Sequence, residues 1–446
     1  MKILQYTLGL PPYRRGGLTR YSVDLSKELS KKNEVILLYP GKMPFFSSSK
    51  LHFYDRKNKK YHFRVVEMEN PLPVSLGLGI DTSVPYMNKR DKKNIVTFLK
   101  KENPDVIHIH TLMGLPLEFL EVAKDLNIKI VYTTHDFYGL CPKMLKDNSL
   151  ELLKNRQCTY DCMLCKKGPA LHKIKIMQSH QYMRLKNTSL ISLLRKYKKE
   201  QVSSISYSGR VSDEESKNRY ELRMYYLRMF NLIDYFHYNS TVSKLYVQNF
   251  LPQARGKVVN ITHNGLKDNR NHQFDFKNNK IKFGYVGPYD EKKGFFELCK
   301  VLNKLRIYHN NFEIHFYGDI LDKPIFSENW VINHGILPSS QMYKAYQNID
   351  VLIVPSLWHE TFGFSVLEAL SHGDICLVSE NVGAKDLVSQ ECIFKTEDEF
   401  ANILKNICTN PKCIIESEYL KIKQKKLPLD FGEHVKNISK NIYCNK

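Results

Sequence analysis

The stretch from Asp350 to Glu368 reads DVLIVPSLWHETFGFSVLE, and few folds accommodate it. DVLIVPS is apolar, β-branched and closed by Pro and Ser, which predicts a short buried strand. LWHETFG is a loop. From Phe364 the run FSVLEAL has helical spacing. Strand, loop and helix in that order belong to an open α/β sheet, where ligands sit outside the carboxyl ends of strands and helix N-termini converge. The N–H groups of Phe362, Gly363 and Phe364 are placed to meet an anion such as a diphosphate at the helix start. Gly363 lets that anion approach the backbone. Glu360 and Glu368 bracket the turn, and a carboxylate can accept hydrogen bonds from two neighbouring sugar hydroxyls. A second reading needs no ligand: Ser365-x-x-Glu368 is a capping box.

The rest of the chain repeats the α/β alternation. KILQYT predicts a strand, LGLPPYRRGG a loop, LTRYSVDLSKELSKK a helix and EVILLYPG a second strand. Gly16 and Gly17 stand just before that first helix, but neither G-x-G-x-x-G nor G-x-x-x-x-G-K-[ST] occurs. DVIHIH places His108 and His110 on one strand face, where packing under a helix accounts for both. IKIVYTTHDF ends a strand at His135, followed by Asp136. LIDYFHYNSTVSKLYVQNFL reads as strand, turn and helix, and VVNITHNGL as a strand ending at Asn264-Gly265. After the polar run KDNRNHQFDFKNNK, KIKFGYVG opens a second apolar strand series.

The Glu360-x7-Glu368 pair with FG inside it, the HDF segment at His135 and the NG at Asn264 together resemble the family-4 retaining glycosyltransferases. That resemblance implies the GT-B fold: two Rossmann-like α/β domains facing across a cleft. It implies transfer of a sugar from a nucleotide-sugar, with Glu360 against the donor sugar, Glu368 on the ribose and His135 over the sugar. It also places the Gly16–Gly17 loop at the cleft, with Gly17 toward the donor, and the base beside residues 335–341. The family has an Arg directly after the Gly of GYVG and a Lys five residues later, both on the diphosphate. Here Pro288 stands in the first position and Lys293 in the second. Catalytic roles therefore fall to His135, Glu360 and Lys293. Donor binding falls to Gly17, Lys293, Phe362, Gly363, Phe364 and Glu368. No D-x-D occurs, so no catalytic metal is expected. The acceptor expected is a lipid-linked or cell-surface saccharide.

Domain limits follow from these landmarks: an acceptor-side domain over 1–268, a donor domain over 269–425, and a last helix over 426–446 crossing back to the first domain. Within the first domain, Cys141, Cys158, Cys162 and Cys165 form C-x16-C-x3-C-x2-C. This spacing is compatible with one structural zinc and equally with four reduced thiols. A basic helical insertion follows over 166–230. Residues 166–228 hold 15 Lys/Arg against 5 Asp/Glu, close to half of the chain's net charge of +21. Ile, Leu, Met and Tyr interleave with the cations, a pattern suited either to an anionic membrane face or to a solvated helical insertion packed on its domain. No apolar run reaches the length of a membrane span, and MKILQYTLGL reads as a first strand rather than a signal peptide. A cytoplasmic protein peripheral to the inner membrane face is expected. The charge alone would also fit a nucleic-acid-binding protein, but no RRM, KH, finger or helix-turn-helix pattern is present, so no nucleic acid is expected. Pro288 leaves open a sugar-nucleotide-binding GT-B relative without activity.

Overall fold

The computed structural model describes residues 1–446 except 15, 45–47, 59, 77–79, 141–168, 187, 189–211, 272–273, 275–279, 320–322 and 445–446. The chain divides into two compact units. One comprises Met1–Tyr238, Leu245–Lys257 and Val435–Lys446; the other comprises Asn239–Lys244 and Val258–His434. Residues 258–268, read from sequence with the first unit, cluster with the second.

The first unit is built on an eight-stranded sheet in the order β3-β4-β2-β1-β5-β6-β7-β8. Its strands are β1 (Lys2–Tyr6), β2 (Glu34–Pro40), β3 (His52–Asp55), β4 (Arg64–Glu69), β5 (Val106–Ile109), β6 (Lys129–Thr133), β7 (Tyr235–Tyr238) and β8 (Gly256–Val258). The central strands pair in parallel, and β3 runs antiparallel on β4. Near-continuous apolar runs such as ILQY and VILLY are what strands covered on both faces require. Helices α1 (Gly17–Leu29), α2 (Lys92–Glu102) and α3 (Leu117–Asp125) follow β1, precede β5 and follow β5. Tyr21, Leu25 and Leu29 are buried along one face of α1. In α2, the Asp91 side chain accepts from the Lys93 N–H at the start, and Asn103 closes the end at φ 42°.

The described part of the basic insertion consists of α4 (Leu171–Met177), α5 (His180–Leu185) and α6 (Asp213–Asn231). Ser212 caps α6, and Asp213, Glu214 and Glu215 occupy its first turn, where the helix dipole favours negative charge. Two of its cations are inside the unit. Arg219 and Arg223 are fully buried with Leu222, Tyr226, Met229 and Phe230. Arg219 Nε pairs with Glu215 Oε1 at 2.9 Å, and that oxygen also accepts from Ser83 Oγ at 2.8 Å. This helix packs on α3 and on the turn at Val84–Met87. Arg195, Lys196, Lys198 and Lys199 lie outside the described residues.

The second unit carries a six-stranded, all-parallel sheet in the order β11-β10-β9-β12-β13-β14. Its strands are β9 (Ile281–Val286), β10 (Phe312–Tyr317), β11 (Val331–Asn333), β12 (Val351–Val354), β13 (Ile375–Ser379) and β14 (Ile393–Phe394). In chain order these run 3-2-1-4-5-6 across the sheet, the doubly wound arrangement. Around them lie α8 (Phe295–Arg306), α9 (Met342–Gln347), α10 (Phe364–His372), α11 (Glu397–Thr409) and α12 (Pro411–Gln424). Helix α7 (Thr241–Phe250) follows β7, and α13 (Phe431–Ile438) leads to a π-helical turn over Ser439–Tyr443. The segment VVNITHNGL is strand only at its first step: β8 ends at Val258 and the chain then runs irregularly to Asn264. Among the described residues, no helix is long and apolar enough to cross a membrane.

Candidate functional site

In a 3-2-1-4-5-6 sheet the strand order reverses between the first and fourth strands, and the loops leaving those two strands part to form a crevice. In the second unit these are the loops after β9 and β12. They are tied together: Leu357 and Trp358 donate backbone N–H bonds to the Lys292 carbonyl at 2.9 and 3.0 Å. Gly294 makes the contact possible. It begins α8 at φ 70°, and a Cβ there would lie 1.8 Å from the Pro355 carbonyl oxygen. Lys293 is fixed at its backbone by Asp290 Oδ1, which accepts its N–H at 2.9 Å. Glu360 is fixed by Asn381 and Gly383, which bond its N–H and C=O at 2.9 and 3.0 Å. The result is a direct ion pair, Lys293 Nζ to Glu360 Oε1, at 2.9 Å. The two side chains are 34% and 14% exposed, so the pair is open enough to be reached. Lys292 turns elsewhere, with its amine 5.3 Å from the centre of the Trp358 ring.

Helix α10 starts at Gly363, which sits at φ 101° and offers no side-chain cap. The capping-box reading of Ser365 and Glu368 is therefore incorrect. The turn into the helix needs the positive φ of glycine, so the helix begins before Ser365, which is already its second residue. Phe362 is buried, and Phe364 meets the His263 ring edge-on at 5.4 Å. Glu368 instead projects to tertiary partners. His263 Nε2 donates to its Oε1 at 3.0 Å, and the Tyr346 hydroxyl donates to its Oε2 at 2.8 Å. Burial, reinforced by the Glu368 charge, holds the Tyr346 phenol well above its usual pKa and so keeps it a donor. His263 was missed in the sequence: the NG turn beside it was visible, but its carboxylate partner lies 105 residues away.

Pro288 lies exposed in the loop after β9, where its carbonyl accepts from the Tyr285 hydroxyl at 2.7 Å. No cation stands there, so Lys293 is the charge nearest Glu360 in this loop. Gly335, at the end of the segment after β11, accepts from the Gly318 N–H at 2.8 Å.

The first unit holds His135 and Gly17. Gly17 begins α1 after Gly16, which has φ 119° and gives no side-chain cap. His135 follows β6 and is partly exposed. Its Nε2 lies 3.1 Å from His110 Nδ1, and its ring packs edge-on against Tyr21 at 4.8 Å. Behind it runs a buried polar network. His110 Nε2 meets Gln5 Oε1 at 2.6 Å, and Gln5 Nε2 donates to the Tyr443 hydroxyl at 3.0 Å. His108 bridges that hydroxyl and Thr133 Oγ1, at 2.8 and 2.6 Å. Burial first, and neighbouring imidazoles second, push His108 and His110 well below the usual histidine range, so both are neutral. Asp136, the next residue, is partly exposed at its surface and accepts from the Tyr138 N–H at 3.1 Å, so it orders its own loop. Burial raises it to about 6 against the pull of these bonds.

Among the described residues no group of His, Cys, Asp and Glu could hold a metal ion. Cys141, Cys158, Cys162 and Cys165 lie outside the described residues, and the zinc expectation rests on them alone.

A doubly wound sheet with an ion pair at its switch point, and a second, mostly parallel sheet in the other unit, are the parts of the GT-B fold. The pattern of the glycosyl transferases of group 1 matches residues 267–426, and that of glycosyltransferase family 4 matches residues 15–158. The two patterns fall in both units of the chain, which belongs to this family of glycosyltransferases. It is similar to protein CapJ of Staphylococcus aureus, with 30% identity over 166 residues. That match covers 35% of this chain and 42%, less than half, of CapJ. It is also similar to an uncharacterized 42.6 kDa protein in the cps region of Klebsiella pneumoniae, at 22% identity over 71% of this chain and 67% of that one. Among solved structures, Anabaena Alr3699/HepE in complex with UDP shares the fold at TM-score 0.55 and 16% identity, over 98% of each chain.

Proposed function

We propose that this chain is a retaining glycosyltransferase that moves a sugar from a nucleotide-sugar to a lipid-linked or cell-surface saccharide during surface-polysaccharide synthesis. The observation that carries the reading is the 2.9 Å Lys293–Glu360 pair at the sheet's switch point, one helix start away from Glu368. Its parts suit the donor. Lys293 supplies a cation for the diphosphate, whose negative charge grows as the sugar–phosphate bond breaks. The uncapped start of α10 adds backbone N–H groups of Phe362, Gly363 and Phe364. Glu360 accepts from the sugar hydroxyls and Glu368 from the ribose, with His263 and Tyr346 fixing its rotamer. His135 and Gly17 are assigned to the donor sugar by family resemblance. Alr3699/HepE was solved with UDP-glucose, which supports a UDP-sugar as the first donor to try. The link to surface polysaccharide is supported by the relative in a cps region. Peripheral attachment to the inner membrane face is supported by the charge excess over 166–228.

The test is a panel of UDP-, ADP- and GDP-sugars read by thermal unfolding, because a ligand bound to the native state raises the midpoint. One nucleotide class should raise it by several degrees at saturation. A panel without any shift would defeat the donor-site reading. For the active donor, the anomeric configuration of product sugar, read by NMR, should match the donor's; inversion would refute retention.

A further inference from the structure

The first unit contains a cavity of about 370 Å³ at the carboxyl ends of β1 and β2, closed on one side by α5. That size lies within the range of about 300–1,000 Å³ usual for small-molecule sites. Its lining includes Arg14, Arg56, Lys57, His180 and Arg184. The one carboxylate among them, Glu67, is buried and fully committed. Arg56 Nε and His180 Nε2 reach it at 2.6 and 2.7 Å, the Lys42 N–H at 3.1 Å and the Tyr39 hydroxyl at 3.2 Å. Burial alone would raise its pKa, but His180, the Lys42 N–H and Arg56 outweigh this and lower it, so it stays ionised. Four donors occupy about four lone-pair sites. Glu67 therefore orients Arg56 and His180 and has little left for a ligand.

Among the described residues, no carboxylate pairs with Arg14, Lys57 or Arg184. Arg14 is half-buried, and burial pulls its guanidinium below the usual range. A desolvated guanidinium without a counter-charge is costly unless an anion completes it. Three cations with no carboxylate partner among the described residues face one cavity; they outnumber the single charge of a carboxylate and suit a phosphate, with three acceptor oxygens for their donors. The Tyr13 ring, 44% exposed on the same wall, offers a flat apolar face to a sugar.

We propose that this cavity binds the phosphate of a phosphorylated saccharide through Arg14, Lys57 and Arg184, with Arg56 held ready by Glu67. Resting on the transferase reading, this ligand is the acceptor. The experiment is calorimetric titration of the full chain, saturated with UDP so that the donor site is filled, with glucose 1-phosphate and with uncharged methyl glucoside. Glucose 1-phosphate should bind at least about tenfold more tightly, because charge-assisted bonds carry the difference. The double variant Lys57→Gln/Arg184→Gln changes two exposed side chains and so should fold. It should weaken glucose 1-phosphate by at least about tenfold and leave UDP affinity unchanged. Equal affinity for the charged and uncharged sugars, no binding of glucose 1-phosphate, or an unaffected double variant would each overturn the proposal. Failure of UDP to bind would count against the donor site instead, and the glucose 1-phosphate comparison would still decide this one. A short-chain prenyl diphosphoglucose separates the two sources of phosphate. Tighter binding than glucose 1-phosphate identifies a lipid-linked acceptor, and equal binding a free sugar phosphate.

Discussion

The two units share a sheet plan and differ in what they place where its order reverses. In the first, β4-β2-β1-β5-β6-β7 repeats the 3-2-1-4-5-6 order that β11-β10-β9-β12-β13-β14 shows in the second. Between β1 and β5 the side chains are Gln5, His108 and His110, fully buried and neutral; His110 bonds Gln5, and Gln5 and His108 both bond Tyr443. Between β9 and β12 the strand-end loops present Lys293 and Glu360, opposite in charge and partly open. A neutral network fills space at a reversal point. A charged pair in the same place creates a field that a bound diphosphate and sugar can divide between them. The sheet provides the location, and the residues at its strand ends decide which chemistry it offers.

Neutralising the second switch point breaks this contrast most severely. Glu360→Gln should retain UDP binding and lower turnover about a hundredfold, the usual scale for removing one preorganised polar group from a reacting centre. Steady-state kinetics beside UDP titration reads both; full turnover in the variant would remove Glu360 from the chemistry. Next in size, Lys293→Ala should weaken UDP about tenfold or more, since a charge-assisted hydrogen bond contributes about 1.5–3 kcal/mol. Calorimetric titration with UDP checks it, and unchanged affinity would leave the diphosphate without its assigned cation.

The smallest effect belongs to the first unit and sharpens the contrast through pH. His108 and His110 have folded pKa values well below the ordinary value of 6.5. The unfolded chain therefore binds more protons than the native one once pH falls below 6.5. Stability is complete above that pH and declines beneath it, by up to about 1.4 kcal/mol per pH unit for each histidine. Asp136, raised to about 6, acts oppositely: the native state takes up its proton first as pH falls below 6. Two histidines against one aspartate leave a net loss on acidification from pH 6.5 to 5. Denaturant unfolding across that range should show it, and His110→Gln should reduce the slope. A flat profile would mean that the network accepts protons without cost.

How much of this was readable beforehand depended on distance along the chain. The strand, loop and helix of 350–368 were visible because their signals are local: a β-branched run, a glycine turn and helical periodicity. Lys293 and Glu360 could be named as partners of one ligand, yet their direct pairing could not, because it follows from Gly294 meeting Pro355 across two loops. Ser365-x-x-Glu368 misled because a capping box is a pattern of four residues. The positive φ at Gly363 sets the helix start instead. Arg219 and Arg223 looked like part of a solvated basic stretch. Their burial depends on α6 packing against α3 and the turn at Val84–Met87, which no count of lysines and arginines reports. His263 and Tyr346 escaped notice for the same reason: each is ordinary in its own segment.

The contact between Gln5 and Tyr443 has a consequence for synthesis. The two residues are 438 positions apart, and the bond joins the first strand to the turn after the last helix. On a ribosome Gln5 emerges early, while its partner is added only after every strand of the second sheet has been made. Until then, Gln5 and His108 lack the hydroxyl that both use in the finished unit. The second unit can close while the first is still waiting, since none of its strands depends on those final residues. A sheet made before the second unit is thus completed after it.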